Sequence, residues 1–180
     1  MDEFSPKPII EIIPKDQLSP ADLTAIIALC SRAYEEDYTP FIETFSDSVH
    51  VLARLDGQLV SHALWITRWL QVEGGPLLRT AYVEGVATEE RYRGWGFATA
   101  VMQCLADAIT VFDVGALCPA DTNMYARLGW QFWQGPLFHR LDGVLLPDPD
   151  ERVMLLHLPQ TPDLDFSLPI SVEWREGEIW

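Results

Sequence analysis

The sequence predicts an α/β fold in a single domain, on three observations. The chain opens with several strand-like segments, a strand–glycine loop–helix unit follows at its centre, and a strand–helix–strand unit follows that. The central unit is the most informative. Ala81 to Ala87 is apolar and β-prone, Arg91-x-x-Gly94-x-Gly96 forms a loop, and Phe97, Val101, Leu105, Ala108 and Ile109 then recur near helical spacing up to Val111. With 180 residues, 48% of them hydrophobic, the chain can bury one core and is not of the disordered class.

The elements follow in order. Pro8 to Ile13 reads as a strand closed by Pro14. Ser19-Pro20 reads as a helix start, with Ser19 as N-cap and Pro20 at the first helical position, and the helix should run to about Ala33. Tyr34 to Pro40 is an acidic loop, and Phe41 to Phe45 a short helical turn. Val49 to Arg54 and Gln58 to Trp69 are two strands whose Asp56-Gly57 junction signals a hairpin. Glu73 to Pro76 is a turn, and Leu77 to Thr88 a long central strand leading to the glycine loop. Val114 to Cys118 is a strand, Ala120 to Leu128 a short helix ended by Gly129, and Trp130 to Trp133 another strand. Beyond Pro136 the chain is proline- and turn-rich, with apolar runs at 152–158 and 170–174.

Composition excludes several functions. Twelve basic against 27 acidic residues give a formal net charge of −15, which argues against a nucleic-acid partner. Such a charge attracts a cationic substrate or serves solubility alone. No apolar run approaches the roughly 20 residues that span a bilayer, and the first residues lack a secretory pattern, so no membrane partner and a cytoplasmic location are expected. Cys30, Cys104 and Cys118 form no CxxC pair, and His50, His62, His139 and His157 are scattered, so no metal is expected. Cys30 and Cys104 sit in helical apolar patterns and read as core.

A glycine loop that opens a helix offers unpaired backbone N–H groups and the positive end of a helix dipole, a combination that binds phosphate. Arg91, Gly94 and Gly96 fill the (Arg/Gln)-x-x-Gly-x-(Gly/Ala) pattern, and the loop resembles the acetyl-coenzyme A pyrophosphate loop of the GCN5-related N-acetyltransferases. The resemblance implies a central mixed, twisted β-sheet flanked by helices, with acetyl-CoA as co-substrate. It places the pyrophosphate on Arg91, Tyr92, Arg93, Gly94, Trp95 and Gly96, and the pantetheine and thioester on the backbone of Val86 and Ala87.

Further segments resemble one branch, the aminoglycoside 2′-N-acetyltransferases: Tyr82-Val-Glu-Gly-Val-Ala87, Tyr125-Ala-Arg-Leu-Gly-Trp130, Gln134-Gly-Pro136 and Glu173-Trp-Arg-Glu-Gly-Glu-Ile-Trp180. The likeness runs from about Leu23 to Trp180. It implies that Tyr125 protonates the leaving thiolate, a match for a phenol of pKa about 10, or else Tyr125 simply packs against Trp130. It implies that Glu84 faces the substrate as a base, most easily through water, or binds its cation; the structural alternative is an ion pair with Arg79 or Arg54. Asp37, Asp150 or Glu151, Glu178 and the Trp180 carboxylate are implied as ligands of substrate ammonium groups. Trp65, Trp69 and Trp133 line the cleft or belong to the core. Cys118 stands where mycobacterial-type members carry serine, and the segment before Tyr125 is shorter than theirs.

The implied activity is acetyl transfer to an amine, the 2′ amine of an aminoglycoside or of kasugamycin, with antibiotic resistance as its consequence. A polyamine, an amino sugar or a protein N-terminus is the alternative acceptor, and a catalytically silent binding protein the alternative class. Residues 137–180 are expected to form a C-terminal substrate-side extension of the one domain, as a lid or as hairpins, and the apolar C-terminal runs offer an interface for pairing two copies into a homodimer.

Overall fold

The computed structural model describes residues 7–119 and 122–180. In chain order the elements are strand β1 (Ile9–Pro14), helices α1 (Pro20–Tyr34) and α2 (Thr39–Thr44), and strands β2 (Val49–Leu55), β3 (Gln58–Val72) and β4 (Leu77–Thr88). Helix α3 (Phe97–Ala108), strand β5 (Val114–Leu117), helix α4 (Thr122–Arg127) and strand β6 (Gln131–Phe132) come next. Strands β7 (Leu137–Leu141), β8 (Val144–Pro147), β9 (Met154–His157) and β10 (Ile170–Glu173) complete the chain. The fold is that of a mixed sheet with flanking helices, packed as two compact units through which β3 and β4 both run.

The first unit comprises residues 7–66 and Glu84–Asp107. Its strands β1, β2 and β3 pair antiparallel in succession. The β2–β3 junction turns on Asp56 and Gly57, both at positive φ, as the hairpin signal requires. His50 to Ala53 and Val60 to Ile66 are buried without alternation, so both faces of these strands are covered. Helix α1 starts where the sequence placed it: the Ser19 hydroxyl accepts the Asp22 amide at 3.0 Å, with Pro20 next. It buries Ile26, Leu29 and Cys30, and α3 buries Phe97, Val101, Met102 and Leu105.

The second unit comprises Thr67–Val83 with residues 108–119 and 122–180. Here β5 runs parallel to β4 and antiparallel to β9, which also pairs with β6. Strand β10 lies between β3, antiparallel, and β7, parallel. The C-terminal segment is therefore woven into the sheet. Buried Arg68 ties it down: Nε donates to Glu173 Oε1 at 3.0 Å, Nη2 to the Glu173 carbonyl at 2.6 Å, and Nη1 to the Ile179 carbonyl at 2.9 Å.

Several boundaries differ from expectation. Strand β3 continues to Val72 because β10 pairs with its last residues. Helix α3 stops at Ala108, since the chain must turn through Ile109–Phe112 to put Asp113 against Arg79; the Arg79 amide donates to Asp113 Oδ2 at 2.7 Å. The β7–β8 hairpin, turned on Asp142-Gly143, falls in the tail where a lid or hairpins were expected without bounds. Ala120 and Asp121, the expected start of the helix before Gly129, and residues 1–6, read for a secretory pattern, lie outside the described residues. Among the described residues no helix is long and apolar enough to cross a membrane.

Candidate active site

In the first unit, β4 delivers the chain into a loop whose shape suits a phosphate. A single 3-10 turn, Glu90–Tyr92, is followed by Gly94 and Gly96, both at φ +83° and both with open space where a Cβ would stand. Those two positions demand glycine and leave the backbone approachable. Helix α3 then begins at buried Phe97, its first N–H groups at the loop end. Tyr92, Trp95 and Phe97 brace the turn through ring contacts of 5.6–6.2 Å. The Arg91 guanidinium lies 4.8 Å over the Tyr92 ring and donates to Gln58 Oε1 at 3.1 Å, while Arg93 and Trp95 are exposed. A cradle of glycine backbone, a helix N-terminus and two arginines fits a pyrophosphate.

Upstream of the loop, β4 bends at Gly85, which sits at φ +60° inside the strand. Three successive carbonyls here are held by side chains. His62 Nδ1 donates to Gly85 O at 2.7 Å, Tyr34 Oη to Val86 O at 3.1 Å, and Ser61 Oγ to Ala87 O at 3.2 Å. Glu84 is half-buried just before the bend. The two arginines considered as its ion-pair partners have other contacts. Arg54 binds Glu11 at 2.7 Å and Asp22 at 2.5 Å, and Arg79 stacks 4.3 Å over Phe112. The end of α1 and the acidic loop after it reach the bend as well: Tyr34, the last residue of α1, holds Val86, and the Tyr38 hydroxyl lies 3.2 Å from where a Gly85 Cβ would be. Asp37, on that loop, is exposed, and hydrogen bonds from the Thr39 hydroxyl and then from the Thr39 amide, at 3.0 Å, hold its carboxyl below the usual range. The structure thus gathers Asp37's loop, Glu84, Val86 and Ala87 around one kink.

In the second unit, Tyr125 is buried on α4, its ring edge-on to Trp130 at 6.4 Å, so the packing contact weighed from the sequence is real. Trp133 is core-like: its indole donates to Leu168 O at 2.9 Å. Trp65 is buried in its own strand, and Trp69 is exposed.

The predicted acids Asp150, Glu151 and Glu178 do converge. Partial burial, and then the charges of Asp148, Glu178 and Asp150, push the Glu151 carboxyl above the usual range. Asp148, in the same 148–151 acidic run, joins them. It accepts the Trp180 indole at 2.7 Å and His139 Nδ1 at 2.8 Å, which ties the buried Trp180 ring to these acids. Asp148 and Glu151 line a cleft of about 630 Å³ with Phe132 and Trp133. The available signal was the 148–151 acidic run beside a tryptophan whose N–H must find an acceptor once buried. Acids on an aromatic-walled cleft can hold ammonium groups on sugar rings by charge-assisted hydrogen bonds.

Residues 16–133 match the acetyltransferase (GNAT) domain family. The chain is 35% identical over 157 residues to an aminoglycoside 2′-N-acetyltransferase of Mycolicibacterium fortuitum, covering 83% of this chain and 80% of that protein. Its fold matches the GNAT family N-acetyltransferase YhbS of Escherichia coli, solved in complex with CoA, with TM-score 0.66 at 19% identity over 98% of this chain and 94% of that one. A conserved protein of Enterococcus faecalis V583 matches with TM-score 0.60 at 17% identity over 71% of this chain, which spans only 33% of that longer protein.

Proposed function

We propose that this chain, which belongs to the GCN5-related N-acetyltransferase family, transfers acetyl from acetyl-CoA to the 2′ amine of an aminoglycoside. The observation that carries the acceptor class is the carboxylate group at Asp148, Asp150, Glu151 and Glu178, beside an aromatic-walled cleft. Like charges held together raise one another's proton affinity, and a ligand bearing several ammonium groups relieves that repulsion. The net charge of −15 draws such a polycation from solution. The likeness to the Mycolicibacterium fortuitum enzyme supports the same acceptor.

Acetyl-CoA supplies an activated thioester. The loop from Arg91 to Gly96 holds its pyrophosphate, and the amides of Val86 and Ala87 polarise the thioester carbonyl, a role that needs position and no side chain. Glu84 holds the substrate cation, or accepts its proton through water. Tyr125 gives its phenolic proton to the departing thiolate. Acetylation removes one positive charge from the antibiotic, which is the basis of a resistance role in the cytoplasm.

The test is thiol release from acetyl-CoA with gentamicin, tobramycin, kasugamycin, spermidine and glucosamine. Turnover confined to 2′-amino aminoglycosides, and lost in Glu84→Ala, supports the assignment. Turnover of spermidine or glucosamine alone removes it.

A further inference from the structure

Two fully buried histidines of the first unit, His50 and His62, stand in a row behind the Gly85 bend. His62 Nδ1 donates to Gly85 O at 2.7 Å, His62 Nε2 lies 2.9 Å from His50 Nδ1, and His50 Nε2 lies 3.0 Å from Ser48 Oγ. A carbonyl only accepts, and with both rings neutral this fixes the ring proton of each histidine. His62 carries its hydrogen on Nδ1, so its Nε2 accepts from His50 Nδ1–H, and His50 Nε2 in turn accepts the Ser48 hydroxyl. The serine's other neighbour, Phe45 O at 3.1 Å, competes for that one hydrogen.

Placing two imidazoles and a hydroxyl among Val51, Leu52, Ala63 and Leu64 is unfavourable unless each is hydrogen-bonded. What the row serves is its end. Gly85 takes a left-handed φ in mid-strand, which turns its carbonyl out of regular strand geometry, and a buried carbonyl must find a donor. His62 supplies it. A Cβ at Gly85 would meet His62 Cε1 at 3.3 Å and Tyr38 Oη at 3.2 Å, so the kink is gripped from two sides.

We propose that His62, backed by His50 and Ser48, is a positioning residue for the acyl transfer: it fixes the Gly85 kink and with it Glu84 on one side and the Val86 and Ala87 amides on the other. The inference rests on the reaction proposed above. Burial pushes His62 down to about 4; burial, then His62 and Lys15, push His50 down to about 3, so both rings are neutral in the working range. The other groups facing them are the Cys30 thiol, 3.7 Å from His62 Nδ1 and pushed up to about 12 by burial, the Ser48 hydroxyl and the Tyr38 hydroxyl.

The first test needs no turnover. Nitrogen-15 NMR of histidine-labelled protein should show both rings neutral with the proton on Nδ1, unchanged between about pH 8 and pH 5.5, where an ordinary histidine titrates. An Nε2–H tautomer, or titration of either ring near pH 6.5, overturns the row. The second test is kinetic. His62→Phe should lower kcat about tenfold or more while the KM for acetyl-CoA stays within about twofold, because the phosphate loop is untouched. His62→Asn, whose amide nitrogen can stand in for Nδ1, should recover most of kcat. Unchanged kcat in His62→Phe, or no recovery in His62→Asn, overturns the positioning role. If the unaltered protein acetylates no amine, the reaction falls, and the tautomer result still decides whether the row holds the kink.

Discussion

Replacing Arg68 by alanine removes the clasp of the C-terminal segment. The guanidinium is buried beneath the Tyr82 ring, 5.3 Å from its centroid, and makes one bond to the Glu173 carboxylate and two to carbonyls, at Glu173 and Ile179. Breaking a buried ion pair from one side destabilises by about 3–5 kcal/mol, and two carbonyls stripped of donors add to that where water cannot reach them. Two features reduce the total. The Glu173 side chain is 36% exposed, and its other oxygen still accepts the Trp69 amide at 3.0 Å, with Arg140 at 4.0 Å. The balance is a loss of about 3 kcal/mol, read as a lower urea midpoint with an unchanged slope. Because the clasp holds Ile179, next to Trp180, and the Trp180 indole holds Asp148, acceptor KM should rise in the folded fraction while coenzyme A binding stays as it was. A loss below about 1 kcal/mol would refute the reasoning, since that is the scale of a surface pair.

Three further outcomes are expected. Glu151→Gln should raise acceptor KM about tenfold, as a charge-assisted bond is lost; the same change should stabilise the unliganded protein at neutral pH. Its carboxyl is raised in the folded state, so its contribution to stability is present below the usual carboxylate range and lost as pH rises through the raised pKa. The gain in melting temperature should therefore shrink towards pH 4, and a constant gain across pH would contradict the cause given. Gly96→Val places a β-branched residue at φ +83° and should weaken coenzyme A binding by at least about tenfold in calorimetry, with the fold retained by circular dichroism. Tyr125→Phe keeps the ring against Trp130 and should cut kcat about a hundredfold with KM unchanged; wild-type kcat would reduce Tyr125 to a packing residue.

Local signals carried the sequence reading a long way. Ser19-Pro20, Asp56-Gly57 and the Arg91–Gly96 loop each encode a backbone requirement that neighbours cannot easily override, and each lies where it was expected. Features set by distant pairing were less legible. Asp142-Gly143 carries the same hairpin signal as Asp56-Gly57, yet among the surrounding prolines the expected C-terminal hairpins could not be given bounds, and nothing local shows that β10 inserts between β3 and β7. The positive φ of Gly85 hides inside an unbroken β-prone run. His50 and His62 look scattered at twelve residues apart, yet the β2–β3 register sets Leu52 opposite His62 and brings the two rings together. Asp148 differs from its acidic neighbours only through His139 and the indole of Trp180, both remote in sequence.

The most direct test of the account is the position of the acetyl group on tobramycin after incubation with acetyl-CoA and this protein, read by two-dimensional NMR. The account predicts a single product acetylated at the 2′ nitrogen. Acetyl on any other nitrogen, or recovery of unmodified tobramycin, would contradict it.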